Sequence, residues 1–203
     1  INPDLKLNSP ALRKNDNDIN YPFLLYLGTI EPRKNINAII KSFNLIKSIK
    51  QFSDLKLIIA GKAGWLYKNI IAEAKNSPYA EDIIFWGPVS QKEKFFLYNQ
   101  AKIFIYPSFF EGFGFPPIEA QACGCPVVSS NRTSLDEILG DSALKINPWR
   151  VDRLAEAVSA VLTNSKIRNQ LVEAGYENIK KYSWQKCSEQ LLKLLAVYSS
   201  SLS

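Results

Sequence analysis

The sequence predicts an α/β domain built on a doubly wound parallel sheet, and three observations predict it. Short apolar runs recur along the chain, separated by stretches whose apolar residues fall at helical spacing. The runs are apolar at consecutive positions, as strands covered by helices on both faces must be. The intervals between them are too long for hairpins and long enough for right-handed helical crossovers. The architecture expected is therefore Rossmann-like, with ligands bound outside the carboxyl ends of the strands.

Each element follows from its residues. Residues 1–20 are rich in Asn, Asp, Pro and Lys and read as an arm or linker. Phe23–Gly28 is an apolar run ending in glycine, a buried strand. From Asn35, a candidate N-cap, Ile36, Ile39, Ile40, Phe43 and Ile46 mark one face of a helix. Leu55–Gly61 is a second strand, Trp65–Lys75 a helix, and Asp82–Gly87 a third strand. Ser90 and Glu93 have the spacing of a capping box and open the next helix. Ala101–Pro107 is a fourth strand. Pro116-Pro117 then starts a helix through Ala122, because a proline costs nothing where the first N–H has no partner. Cys125–Ser130 is a fifth strand and Ala143–Ile146 a sixth. Asp152–Leu162, Lys166–Lys181 and Ser183–Tyr198 are helical, the last with Cys187, Leu191, Leu194 and Leu195 on one face. There is no internal repeat and no low-complexity tract.

Composition narrows the function. The 203 residues, 46% of them hydrophobic and 22% charged, are enough for one domain with a substantial core. No stretch approaches the roughly 18 consecutive apolar residues of a membrane span. No basic segment followed by an apolar one opens the chain, so no secretory signal is expected. The first residue is Ile1 rather than Met, which reads as excision from something longer. The chain contains no histidine, which excludes Ser–His and Cys–His catalysis and His-ligated zinc if it acts alone. Cys123, Cys125 and Cys187 match no common metal pattern and read as reduced, partly buried thiols of a cytoplasmic protein. The net charge of +6 suits phosphates, anionic lipid headgroups or nucleic acid, and equally reads as ordinary solvation. No basic run interleaved with aromatics marks a nucleic-acid groove, so no nucleic-acid partner is expected.

The chemistry should lie in the loops after the strands. After the first strand, Gly28 permits close backbone approach, and Arg33-Lys34 bring two positive charges to a helix mouth that already favours anions. Taken alone, that pair also reads as solvated surface. After the fourth strand comes Ser108-Phe109-Phe110-Glu111-Gly112-Phe113-Gly114-Phe115-Pro116-Pro117-Ile118-Glu119-Ala120. Gly112 and Gly114 let backbone N–H groups point at a ligand. Pro117 occupies the third glycine position of a dinucleotide fingerprint, so that fingerprint is rejected, and no P-loop exists. Glu111 precedes the helix and Glu119 is expected in its first turn. Both carboxylates can border one ligand site and accept from paired sugar hydroxyls.

The stretch from Ser108 to Ser130, with Glu111 and Glu119 separated by seven residues, resembles the signature of retaining GT-B glycosyltransferases. That group includes sucrose synthases and many bacterial mannosyl- and glucosyltransferases. Further matches are Tyr26-Leu27-Gly28-Thr29 with Pro32-Arg33-Lys34-Asn35, Gly61-Lys62 with Gly64-Trp65, Gly87-Pro88-Val89-Ser90, and Ser134-Leu135-Asp136-Glu137 with Gly140-Asp141-Ser142-Ala143. The resemblance covers residues 21–198. Asp136 departs from it, standing where the family often has proline.

The resemblance implies the C-terminal, donor-binding half of a GT-B fold. Residues 21–182 would form the Rossmann-like domain, and residues 183–203 a helix packing on a missing N-terminal domain that supplies the acceptor site. It implies transfer of a hexose, mannose or glucose, from a UDP- or GDP-sugar to a glycan or lipid-linked glycan, with retention of configuration. The roles it carries over are residue by residue. Arg33 and Lys34 would neutralise the departing diphosphate, helped by the N–H groups of Gly114 and Phe115. Glu111 would face the donor sugar, and Glu119 the ribose. Val89 would meet the base through its backbone. Gly28, Lys62, Gly112 and Phe113 complete the binding set. No metal or other cofactor is implied, because lysine and arginine supply the positive charge; Asp16-Asn17-Asp18 lies in the arm, away from any strand end. Whether Glu111 attacks the sugar or only stabilises it is open in the sequence. The full-length protein would be cytoplasmic, or peripheral on the inner face of the plasma membrane. Rival readings are a GT-B sugar-nucleotide epimerase or phosphorylase, and a non-catalytic sugar-nucleotide-binding module. A receiver-type domain is disfavoured, since Gly28-Thr29-Ile30 lacks the acidic cluster it needs.

Overall fold

The computed structural model describes residues 19–200. The expected arm lies outside the described residues except for Ile19 and Asn20. All six expected strands form: β1 (Phe23–Leu27), β2 (Lys56–Ala60), β3 (Ile83–Gly87), β4 (Ile103–Tyr106), β5 (Val127–Ser130) and β6 (Leu144–Ile146). They make one sheet in the order β3-β2-β1-β4-β5-β6, with every pairing parallel. The direction of strand addition reverses between β1 and β4, the topological switch point at which such sheets bind ligands.

The helices are α1 (Ile36–Lys47), α2 (Tyr67–Lys75), α3 (Gln91–Gln100), α4 (Phe115–Ala122), α5 (Ser134–Leu139), α6 (Val151–Thr163), α7 (Ser165–Ile179) and α8 (Trp184–Ser200). α1 packs on α2 and α6 over one face of the sheet; α4 packs on α3 and α7 over the other. Both faces of the sheet are therefore dry, and β1, β4 and β5 are buried along their whole length. This is why β1 and β4 are apolar at consecutive positions, while the buried Ser129 and Ser130 of β5 bond the carbonyls of Tyr106 and Ser108.

The capping box on α3 is present: Ser90 Oγ accepts from the Glu93 N–H, and a Glu93 carboxylate oxygen accepts from the Ser90 N–H. Four expectations about local structure are corrected. Asn35 precedes α1 in a left-handed conformation (φ 56°), but its side chain does not cap the helix. It turns inward and donates to the carbonyls of Pro107 (3.2 Å) and Pro148 (2.7 Å). Helix α2 begins at Tyr67 rather than Trp65, because Leu66 takes φ 51°, outside helical space. Helix α4 starts one residue earlier than expected, so Glu119 is its fifth residue and lies in the second turn, beyond the N-terminal dipole. Cys187 is exposed, whereas Cys125 is buried and Cys123 half-buried; all three are free thiols. Helix α5 was not expected, being only six residues long. The apolar residues Leu191, Leu192, Leu194 and Leu195 of α8 are 56–66% exposed.

Candidate active site

Two loops from either side of the switch point are stitched together above the sheet. The backbone N–H of Phe109, after β4, donates to the carbonyl of Arg33, after β1, at 3.0 Å. Asn35 bonds both Pro107 and Pro148, so the loop after β6 joins the same assembly. Ser130 Oγ donates to the Ser108 carbonyl (2.6 Å), and Ser134 Oγ bonds the carbonyls of Glu111 and Phe113 (3.0 Å each). The Glu111 N–H donates to Thr133 Oγ1 at 3.1 Å. Thr133 has φ 50°, a costly backbone for a β-branched residue. The loops after β1 and β4 are thus tied by hydrogen bonds to each other and to the connections after β5 and β6.

This stitching brings Arg33, Lys34 and Glu111 together. Arg33 and Lys34 sit in a single 3₁₀ turn, Pro32–Lys34. Lys34 Nζ lies 2.6 Å from Glu111 Oε1 and donates to the Tyr106 hydroxyl at 2.9 Å. Arg33 reaches Glu111 Oε2 at 3.2 Å, the Phe110 carbonyl at 2.6 Å, and Glu31 Oε1 at 2.7 Å. The side chains of Lys34 and Glu111 are 9% and 8% exposed, so this is a buried ion pair, with Arg33 as its more open third member. Burial acts to raise the Glu111 pKa. The hydrogen bond and charge of Lys34, the nearby Ser108 hydroxyl and the charge of Arg33 outweigh it and hold the carboxyl below its ordinary value. Ser108 Oγ is itself buried and makes no hydrogen bond of good geometry, although it lies near enough to favour the ionised carboxylate. Burial and the Glu111 charge push the Tyr106 phenol well up, so it stays neutral.

A depressed carboxyl pKa contributes stability that is complete above the unfolded value of about 4.3 and is lost as pH falls through the lower folded value. Wild type should therefore melt above Glu111→Gln at neutral pH. The gap should shrink as the pH of a calorimetric series drops below about 4.3. A gap constant from pH 7 to pH 3 would contradict the assignment.

Glu119 does not join this cluster. It forms a second one with α3, where Lys94 Nζ lies 2.6 Å from Oε1 and the Tyr98 hydroxyl donates to Oε2 at 3.1 Å. Its side chain is 33% exposed, which leaves acceptor capacity facing solvent. Gln121, on the same helix, is buried in a network with Ser142 and Asn178 that fixes α4 from behind. An aromatic column links the two clusters beneath the loops. Tyr98 meets Phe104 edge-on at 5.3 Å, Phe104 stacks on Tyr106 at 5.7 Å, and Tyr106 stacks on Tyr26 at 5.9 Å.

The other expected residues divide by position. Gly28 closes β1, its N–H donating to the Ala60 carbonyl. Lys62 is exposed, and its carbonyl accepts from the Ile30 N–H, which places it beside the β1 loop. Val89 lies between β3 and α3, partly packed on the core. Phe113 sits 4.7 Å from Phe115 and edge-on to Tyr182, ring to ring. Gly114 (φ 102°) packs under Leu135, and a Cβ there would come within 2.5 Å of that side chain. A Cβ on Gly112 would meet nothing within 4 Å. Sequence reasoning missed Glu31, Lys94, Tyr98 and Tyr106. The tyrosines carried a signal, since a tyrosine buried beside a strand end needs a partner for its hydroxyl.

Residues 10–178 match the model of the family described as glycosyl transferases group 1. The chain belongs to that family. An O-antigen chain mannosyltransferase B of Escherichia coli is 35% identical over 170 residues, which are 84% of this chain and 44% of that protein. The chain thus spans less than half the length of this family relative. The solved sucrose-phosphate synthase of Thermosynechococcus elongatus superposes with a TM-score of 0.78 at 22% identity, over 97% of this chain and 51% of that one. The C-terminal domain of a glycosyl transferase group 1 family protein from Francisella tularensis superposes with a TM-score of 0.69 at 22% identity, over 88% of this chain and 96% of that one. These likenesses establish the GT-B type of Rossmann-like sheet.

Proposed function

We propose that this chain is the donor-binding, C-terminal half of a retaining glycosyltransferase, acting with a second domain that carries the acceptor. The reaction would move a mannose or glucose from a GDP- or UDP-sugar to a glycan or lipid-linked glycan. The observation that carries this reading is the convergence of Arg33, Lys34 and Glu111 at the switch point of a group 1 glycosyltransferase fold. The near-complete overlap with a solved C-terminal domain supports the half-enzyme reading, and the mannosyltransferase relative supports a hexosyl donor.

In this reading the leaving group is a nucleoside diphosphate, whose charge grows as the glycosidic bond breaks. Arg33 and Lys34 stabilise it, together with the helix N-terminus at Gly114 and Phe115. In the free protein Glu31 and Glu111 balance these cations, so the pocket needs no counter-ion until the donor arrives. Glu111 stays ionised and faces the developing positive charge on the sugar. Both its oxygens are engaged by cations, which suits an electrostatic stabiliser better than a nucleophile. Glu119 accepts from the ribose hydroxyls through its open side, oriented by Lys94 and Tyr98.

A thermal-shift panel of UDP, GDP, ADP and their sugars tests the reading. At about 100 times its dissociation constant, the right nucleotide stabilises the fold by about 2.7 kcal/mol. Glu119→Ala should lose most of that shift. Glu111→Ala should keep the shift with the bare nucleotide and lose the extra shift with the sugar nucleotide. No shift with any member of the panel would refute the proposal.

A further inference from the structure

Trp149 is 61% exposed and lies in the loop after β6, beside the charged cluster. It is firmly mounted. Its backbone N–H donates to Asn147 Oδ1 at 3.1 Å, and the preceding Pro148 carbonyl is held by Asn35. Phe109 supports the indole at 5.2 Å, and the Arg132 guanidinium lies over it at 4.8 Å. Among the described residues, Arg132 forms no ion pair with a carboxylate, so its N–H donors remain available to a ligand.

This pair adjoins the charged cluster on two sides. Phe109 is bonded to Arg33 through the backbone, and Thr133, next to Arg132, accepts from the Glu111 N–H. The strand order fixes the direction. Val89 follows β3 at one edge of the sheet, Glu111 follows β4 in the middle, and Arg132 and Trp149 follow β5 and β6 toward the other edge. The indole and guanidinium therefore lie on the side of Glu111 away from the expected contact with the base.

We propose that Trp149 and Arg132 form a saccharide subsite for the acceptor. This inference rests on the glycosyltransferase reading and adds that the domain itself contacts the acceptor glycan. The exposed part of the indole, left uncovered by Arg132 and Phe109, presents an apolar surface to the C–H face of a pyranose ring, and the guanidinium packed on it donates to the ring's hydroxyls. A rigid aromatic with one polar donor set is the usual composition of such a pocket wall.

The test uses the 203-residue chain, with mannose and glucose disaccharides at millimolar concentration as probes, read by saturation-transfer NMR in the presence of GDP or UDP. Wild type should give a saccharide signal that falls at least tenfold in Trp149→Ala and several-fold in Arg132→Ala. Trp149→Phe should retain part of it. All three variants should keep the wild-type thermal shift with nucleotide, which shows that they are folded. A wild type without saccharide signal, or a Trp149→Ala signal equal to wild type, would overturn the subsite. Loss of the nucleotide shift in wild type would count against the donor reading alone, because the saccharide signal is read separately.

Discussion

Lys34→Met should destabilise the fold by about 3 kcal/mol, and it should abolish binding of the nucleoside diphosphate. The size follows from burial. Lys34 and Glu111 are each less than 10% exposed, and removing the ammonium leaves a largely buried carboxylate with one of its two cationic partners gone. Arg33 still touches Glu111, which places the cost at the lower end of the range for breaking a buried pair. The stability loss and the binding loss are separable. In the double variant Lys34→Met/Glu111→Leu the orphaned charge is gone, so stability should return toward wild type while diphosphate binding stays absent. Denaturant melts of the two single variants and the double variant measure the first effect, and the nucleotide thermal shift measures the second. A double variant that regained nucleotide affinity would show that Lys34 serves the fold and not the phosphates.

Gly61→Ala should cost about 3 kcal/mol or more, the upper range for forced overpacking. Gly61 ends β2 at φ 141°, and a Cβ there would lie 1.8 Å from the carbonyl oxygen of Gly28. No rotamer relieves that contact, because the backbone fixes the Cβ position and its neighbour is a backbone oxygen. The β1 loop would have to move, and Arg33 and Lys34 would move with it. Gly112→Ala is the matched control. Its Cβ meets nothing, so stability should stay within about 0.5 kcal/mol of wild type. If a donor lies close to that loop, the control loses affinity without losing stability.

The sequence was most legible where one kind of signal acted alone. Strands β1 and β4 are continuous apolar runs, and burial on both faces is the natural physical reading of such runs in alternation with helices. The Ser90–Glu93 cap was equally local and formed as expected. Asn35 was misread because its spacing suits a helix cap, while its side chain is taken by Pro107 and Pro148, carbonyls more than 70 residues away. Tertiary partners of that kind leave no local trace.

The site divided in the same way. Arg33, Lys34 and Glu111 could be expected at one rim because all three follow carboxyl ends of strands, where such sheets bind ligands; that β1 and β4 are neighbours is seen only in the folded sheet. The pairing of Glu119 with Lys94 and Tyr98 depends on how α3 packs on α4, which no motif encodes. Glu31 was passed over because a glutamate between Ile30 and Pro32 reads as loop surface. Its role as the counter-charge of Arg33 appears only once the 3₁₀ turn has folded.

The central claim is that Arg33 and Lys34 exchange part of their hold on Glu31 and Glu111 for the diphosphate of a sugar nucleotide. A crystal of this chain with GDP-mannose or UDP-glucose tests it most directly. Phosphate oxygens should lie within hydrogen-bond distance of both cations, the hexose beside Glu111, and the ribose hydroxyls on Glu119. A bound sugar nucleotide resting elsewhere, with the Arg33–Glu31 and Lys34–Glu111 pairs untouched, would contradict it.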